Sequence, residues 1–242
     1  ALELSHAGRP VEAVKALREI RRRASSYRHP DADRVVARTF LTEASARLEI
    51  AGDVDEARHL VAEAEAIARR IDAPALLATV VAQRALMVLR SGDTGAALDA
   101  FDAAAERLAD MEPRDRAIVL LNRGVLWLEQ GELRRAEADL AASAEHARRA
   151  GDDRLESMAR HNRGYVDFLA GNIPRALRAY EDAARAMPGE PHPAMQVDHA
   201  RALREAGLLA DAEGILAEVA RRTQELGLFQ DLGEAELLRA EC

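Results

Sequence analysis

A spacing that recurs six times constrains this chain more than any other feature. In each copy a small residue is followed seven positions later by Gly, five later by Ala, and four later by a large apolar residue. The clearest copies are Gly124, Gly131, Ala136, Leu140 and Gly164, Gly171, Ala176, Tyr180, which lie 40 residues apart. Both carry Asn-Arg-Gly at the first Gly, at 122–124 and 162–164. Ser45, Gly52, Ala57, Val61 and Ala85, Gly92, Ala97, Phe101 precede them; Ala200, Gly207, Ala212, Leu216 follow. Ala1, Gly8, Ala13, Leu17 opens the chain, and Ala240 falls 40 residues after Ala200. A fixed period of this size means a stacked-repeat architecture. Each unit then buries its apolar face on its neighbours. The register divides 1–242 into one array with units at about 1–30 (partial), 31–72, 73–111, 112–151, 152–190, 191–227 and 228–242 (partial).

Each unit reads as two helices. The Gly between two apolar-periodic segments suits the left-handed end of a helix. Asp53, Asp93 and Asn172 follow such a Gly and suit the next N-cap. The small residue before the Gly and the Ala after it mark a close helix crossing, where a larger side chain would push the axes apart. The segments are rich in Ala, Leu, Glu and Arg, all strong helix formers. Period-2 alternation is absent, so the expected class is all-α.

This pattern resembles the tetratricopeptide repeat (TPR). The fifth unit carries the likeness best, with Asn162, Gly164, Gly171, Ala176, Tyr180, Ala183 and Pro188. The resemblance implies a right-handed α-α superhelix, or solenoid, of about six helix pairs plus a partial seventh. It also implies a concave groove lined by the first helix of each unit. The period near 40 exceeds the family's usual length of about 34, and the Pro is missing from most units. The extra residues are expected to lengthen the helices or the turn between units. Both chain ends cut through a unit, so the chain reads as a fragment of a longer protein. Its long Ala/Arg-rich units also resemble the N-terminal arrays of actinobacterial proteins that end in a CHAT (caspase-like) protease domain.

Composition narrows the function. The net charge of −8 disfavours a direct nucleic-acid role, which wants a basic face. It equally disfavours attachment to anionic membranes. The single cysteine, Cys242, permits no disulfide within the chain, and a cytoplasmic setting is expected. No apolar run approaches the ~20 residues of a membrane span. Asp93-Thr94-Gly95 matches the aspartic-protease tripeptide but sits at an expected helix start, where Asp is an ordinary cap. The seven histidines show no metal-ligand spacing, and no phosphate-binding or nucleophile-elbow motif occurs. No catalytic, cofactor or metal site is expected.

The resemblance also says which side chains reach the groove. Carried over, its positions are Glu43, Gln83, Leu86, Arg90, Asn122, Val125, Leu128, His161, Asn162, Tyr165, Phe168, Asp198, Arg201 and Arg204. The residue two before the small position is polar in every full unit: Glu43, Gln83, Asn122, Asn162 and Asp198. Such a ladder either reads an extended peptide backbone or bridges neighbouring helices. His161, Tyr165 and Phe168 form an i, i+4, i+7 stripe beside Val125 and Leu128. It is either an aromatic anchor for a partner or packing between helices. The groove is acidic near Glu43 and Glu49 and basic near Arg201 and Arg204; lacking a groove lysine, it does not match chaperone-type members that hold a C-terminal carboxylate.

The expected role is a non-enzymatic scaffold that binds a protein or peptide in the groove, as the recognition arm of a larger bacterial protein such as a CHAT-type protease. Two alternatives stand beside it: the ligand- or peptide-sensing array of a transcription regulator, and a self-association module forming an end-to-end dimer.

Overall fold

The computed structural model describes residues 10–51, 54–90, 92–226 and 229–240. Gly8, Gly52, Asp53 and Cys242, and the side chain of Glu49, lie outside the described residues. The described chain contains α1 (Pro10–Ala24), α2 (Pro30–Ala51), α3 (Val54–Arg70), α4 (Pro74–Arg90), α5 (Thr94–Ala105) and α6 (Pro113–Glu129). It continues with α7 (Leu133–Ala150), α8 (Asp153–Leu169), α9 (Ile173–Ala186), α10 (Pro193–Glu205), α11 (Leu209–Leu226) and α12 (Phe229–Arg239). No strand occurs among the described residues. Pro10, Pro30, Pro74, Pro113 and Pro193 each open a helix. There the missing N–H costs nothing and the fixed φ is already helical.

The chain divides into two compact units at Val119 and Leu120. In the first, each helix from α1 to α5 packs on the next, and α2 also contacts α4. In the second, successive helices from α7 to α12 do the same, with additional α8–α10 and α10–α12 contacts. Contact with the next helix and the next but one is the signature of an α-α repeat, in which each pair buries itself on its neighbours.

The repeat positions hold this packing together. Gly92, Gly131, Gly171 and Gly207 all take positive φ, from 73° to 82°. At Gly131 this reversal lets the Glu132 N–H reach Trp127 O at 2.9 Å and the Gly131 N–H reach Leu128 O at 3.0 Å. Two carbonyls orphaned at the end of α6 are thereby satisfied. The Ala positions Ala13, Ala57, Ala97, Ala136, Ala176 and Ala212 are all 0% exposed. The large residues four further on, from Leu17 to Leu216, are all buried. Each of these contributes about 1.5–3 kcal/mol by leaving water.

The duplicated Asn-Arg-Gly has a structural meaning. A Cβ on Gly124 would stand 2.8 Å from Leu140 Cγ, and one on Gly164 would stand 2.9 Å from Ala179 Cβ and 3.0 Å from Tyr180 Cε1. Gly alone fits these crossings. The Arg beside each Gly clamps α7. Arg123 binds Asp139 through two bonds, of 2.7 and 2.9 Å, and Arg163 reaches Glu137 at 2.7 Å.

The caps are mixed. Asp93 Oδ1 accepts from the Ala96 N–H at 2.9 Å, which makes Asp93-Thr94-Gly95 a helix start. Asn172 occupies the cap position of α9, but its side chain makes no capping hydrogen bond. Gly214, inside α11, has nothing within 4 Å of an added Cβ. Gly214→Ala is therefore expected to stabilise by about 0.5–1 kcal/mol through the lower entropy of the unfolded chain. Urea denaturation checks this; a loss of stability would show a hidden contact at that face.

Candidate functional site

The first unit contains a groove of about 320 Å³ built by α2, α4 and the start of α6. This lies within the usual range for ligand sites. Gln83, Leu86 and Arg90 line it along one stripe of α4, and Thr42 and Ala46 face it from α2. Leu41 and Ile118 supply apolar wall. Ser45 Oγ donates to Gln83 Oε1 at 3.1 Å and ties α2 to α4. At one end, Thr79 Oγ1 donates to Asp115 Oδ2 at 2.8 Å, and Arg38 stands 3.9 Å from the same oxygen. At the other end Arg90 is exposed. Arg38, Thr79, Asp115 and Ile118 escaped the sequence reading, although Thr79 and Ile118 continue the same stripe toward the helix N-termini. The longer period signals why: α2 has 22 residues and α4 has 17, so the inward stripe outruns the borrowed offsets.

Other expected groove positions are placed differently. Glu43 is fully buried, not presented to a partner. Its carboxylate accepts from Arg18 Nε at 2.9 Å and from Arg21 at 2.6 Å, and Arg47 stands 3.9 Å away. Arg21 also lies over the Phe40 ring at 4.1 Å. An isolated buried carboxylate is too costly, so α1 supplies its counter-charges. Leu128 is buried, while Asn122, Val125 and Asn162 are half-buried.

The stripe His161, Tyr165, Phe168 splits. Tyr165 and Phe168 stack with centroids 5.8 Å apart and pack in one cluster with Ala176, Tyr180 and Ala202. They face α9 and α10 of their own and the next repeat. His161 is buried, 4.5 Å from the Tyr180 ring, with Nε2 3.2 Å from Asp198 Oδ2. Asp198 in turn faces Arg201 at 3.4 Å, and Arg201 pairs with Glu234 of α12. Arg204 lies 3.9 Å from Glu205. In the second unit, then, Asp198 and Arg201 bridge the first helices of successive repeats, α8 to α10 and α10 to α12. Burial and the nearby Asp198 charge raise the Tyr165 hydroxyl above its ordinary pKa.

His199, beside Tyr180 at 5.9 Å between centroids, is held below the ordinary imidazole pKa, chiefly because burial disfavours the charged ring. The unfolded chain therefore binds the proton more readily. Stability from the neutral ring is complete above about pH 6.5 and is lost as pH falls below it. Thermal unfolding between about pH 7.5 and about pH 5.5 is expected to show a smaller acid loss for His199→Gln than for the parent chain. Parallel curves would remove His199 as the cause.

Neither a protein-family model nor a curated protein sequence matches the chain. Solved structures do. BtubC (BKLC) from P. vanneervenii aligns with TM-score 0.66 at 20% identity, over 90% of this chain and 91% of that one. The fold is that of a tetratricopeptide-repeat structure. The nearly identical TPR-like repeats of a putative kinesin light chain from Podosopora anserina give 0.55 at 18% identity, over 82% of this chain and 97% of that one. The Pyrococcus horikoshii signal-transduction ATPase with a TPR sensor gives 0.59 at 16% identity. That match covers 98% of this chain and 40% of the ATPase. Among the described residues, no group of three or more His, Cys, Asp or Glu side chains could hold a metal, and no helix is long and apolar enough to cross a membrane.

Proposed function

We propose that the chain is a protein-interaction scaffold whose first unit takes an extended peptide segment in the α2–α4–α6 groove. The observation that carries this is the convergence of Gln83, Leu86 and Arg90 on one open cavity with apolar walls and polar ends. From Thr79 to Arg90 the groove follows α4 for about 16 Å at 1.5 Å per residue. That length suits about five residues of extended chain at 3.3 Å each. Leu86 is the apolar contact and Gln83 the backbone reader. Peptides selected by display against the full chain test it. Leu86→Asp is expected to weaken them at least about tenfold by placing a desolvated charge on the apolar wall, whereas Asn162→Ala leaves them unchanged. Equal affinity for the parent and Leu86→Asp would sink the groove.

In its native setting we read the array as a recognition arm. The TPR sensor of the Pyrococcus ATPase supports a sensing role for an array of this fold. The link to a CHAT-type protease rests on the style of the repeats. The complete gene tests it: a His/Cys protease module beside the array supports the link, and a basic helix-turn-helix domain replaces it with a regulator.

A further inference from the structure

The second unit holds a cavity of about 90 Å³ between α8, α9, α10 and α11. Its polar wall is His161, Tyr180, Gln196 and His199, and Met195 and Ile215 are part of the apolar remainder. No carboxylate lines it, in a chain whose net charge is −8. Two polar atoms of this wall are buried without a hydrogen-bond partner among the described residues: the hydroxyl of Tyr180, a side chain 1% exposed, and His199 Nε2. Such groups are costly to leave unmade. A third wall group is oriented as a donor. Gln196 Oε1 accepts from Arg222 at 2.8 Å, which leaves the Gln196 amide N–H groups for another acceptor. The wall thus offers a phenol, an amide and an imidazole, and asks for oxygen acceptors.

We propose that this cavity binds a small monocarboxylate of acetate size through the Tyr180 hydroxyl, the Gln196 amide and the His199 imidazole. At about 90 Å³ the cavity has room for a group of acetate size. His199 lies beside the site with its ring kept neutral by burial. A carboxylate there stabilises the imidazolium, so binding draws one proton from solvent onto His199. The charged and titratable groups around this ring are few. His161 on α8 is occupied by Asp198 of α10. Glu181 on α9 is exposed, and its negative charge acts on the His199 ring against the effect of burial, while Asp198 and Asp167 act on the Tyr180 hydroxyl. Arg222 on α11 is paired with Glu190 at 2.6 Å. None of these supplies a carboxylate within the cavity wall.

Acetate titrated into the full chain, followed by the imidazole nitrogen signals of His199, tests the assignment. Its affinity is expected to rise up to about tenfold per pH unit between about pH 7.5 and about pH 5.5, until His199 is charged in the free protein. Acetamide, neutral and of the same shape, is expected to bind weakly and without pH dependence. Tyr180→Phe removes a hydroxyl that has no partner in the fold, so the helical circular dichroism stays unchanged. Acetate affinity is expected to fall about fivefold or more through the lost hydrogen bond. No His199 shift at high acetate would mean a cavity filled by water, and would overturn the proposal. Acetamide binding as well as acetate, or a pH-independent acetate affinity, would overturn the carboxylate class. Unchanged affinity in Tyr180→Phe would overturn the assigned contact.

Discussion

Replacing Glu43 with Ala is expected to destabilise the first unit by about 3–5 kcal/mol, the usual cost of breaking a buried ion pair from one side. The carboxylate is fully buried and accepts from Arg18 and Arg21, with Arg47 close by. Removing it leaves the guanidinium of Arg21, whose side chain is 17% exposed, next to Arg47 with no counter-charge. Arg21 Nη1 and Arg47 Nε already lack hydrogen-bond partners among the described residues, so the cluster has little capacity to re-pair. Glu43→Leu restores volume but not charge and is expected to recover only part of the loss. Urea denaturation of the three proteins measures this. A Glu43→Ala loss below about 1 kcal/mol would show that the pair behaves as a surface pair. Sequence register had made Glu43 a groove residue; the structure makes it the electrostatic tie between α1 and α2.

The second large effect is expected at Gly164. Gly164→Leu should cost about 3 kcal/mol or more, because even its Cβ meets Ala179 Cβ at 2.9 Å and the Tyr180 ring at 3.0 Å. Better helix propensity returns only about 1 kcal/mol. Tyr180 cannot swing aside easily, since its ring lies against His161 at 4.5 Å and it is buried in the same cluster as Ala176 and Ala202. Gly164→Ala should follow the same direction with a smaller loss. Hydrogen exchange would report it locally, with α8 and α9 losing protection first. Gly214→Ala is the matched control, with a helical Gly whose added Cβ meets nothing. If both substitutions stabilised, close approach would not be the reason for Gly at 164.

These two residues show where sequence reasoning succeeds and where it stops. Gly164 was legible because its role is a relation at fixed spacing within one unit. A small residue, a reversal at Gly171 and a large residue at Tyr180 recur together, and local geometry turns that spacing into a crossing. Glu43 was not legible. Its partner Arg21 lies 22 residues away on another helix, and Glu43 is absent from the groove wall. His161 is the same case, with Asp198 at 37 residues. Periodicity defines direction around a helix axis, and burial depends on what the neighbouring helix places opposite.

The groove divides in the same way. Gln83, Leu86 and Arg90 follow from the stripe on α4, but Arg38 and Asp115 needed the lengths of α2 and α6. By itself the sequence determined the all-helical class, the helix pairs, their turns and the small-residue crossings, because each is set by contacts within about one repeat. The tertiary structure alone decided which polar residues tie helices together and which line a cavity. Those properties come from side chains on different helices, such as Glu43 and Arg21 at 22 residues and His161 and Asp198 at 37, brought to one place only when the helices pack.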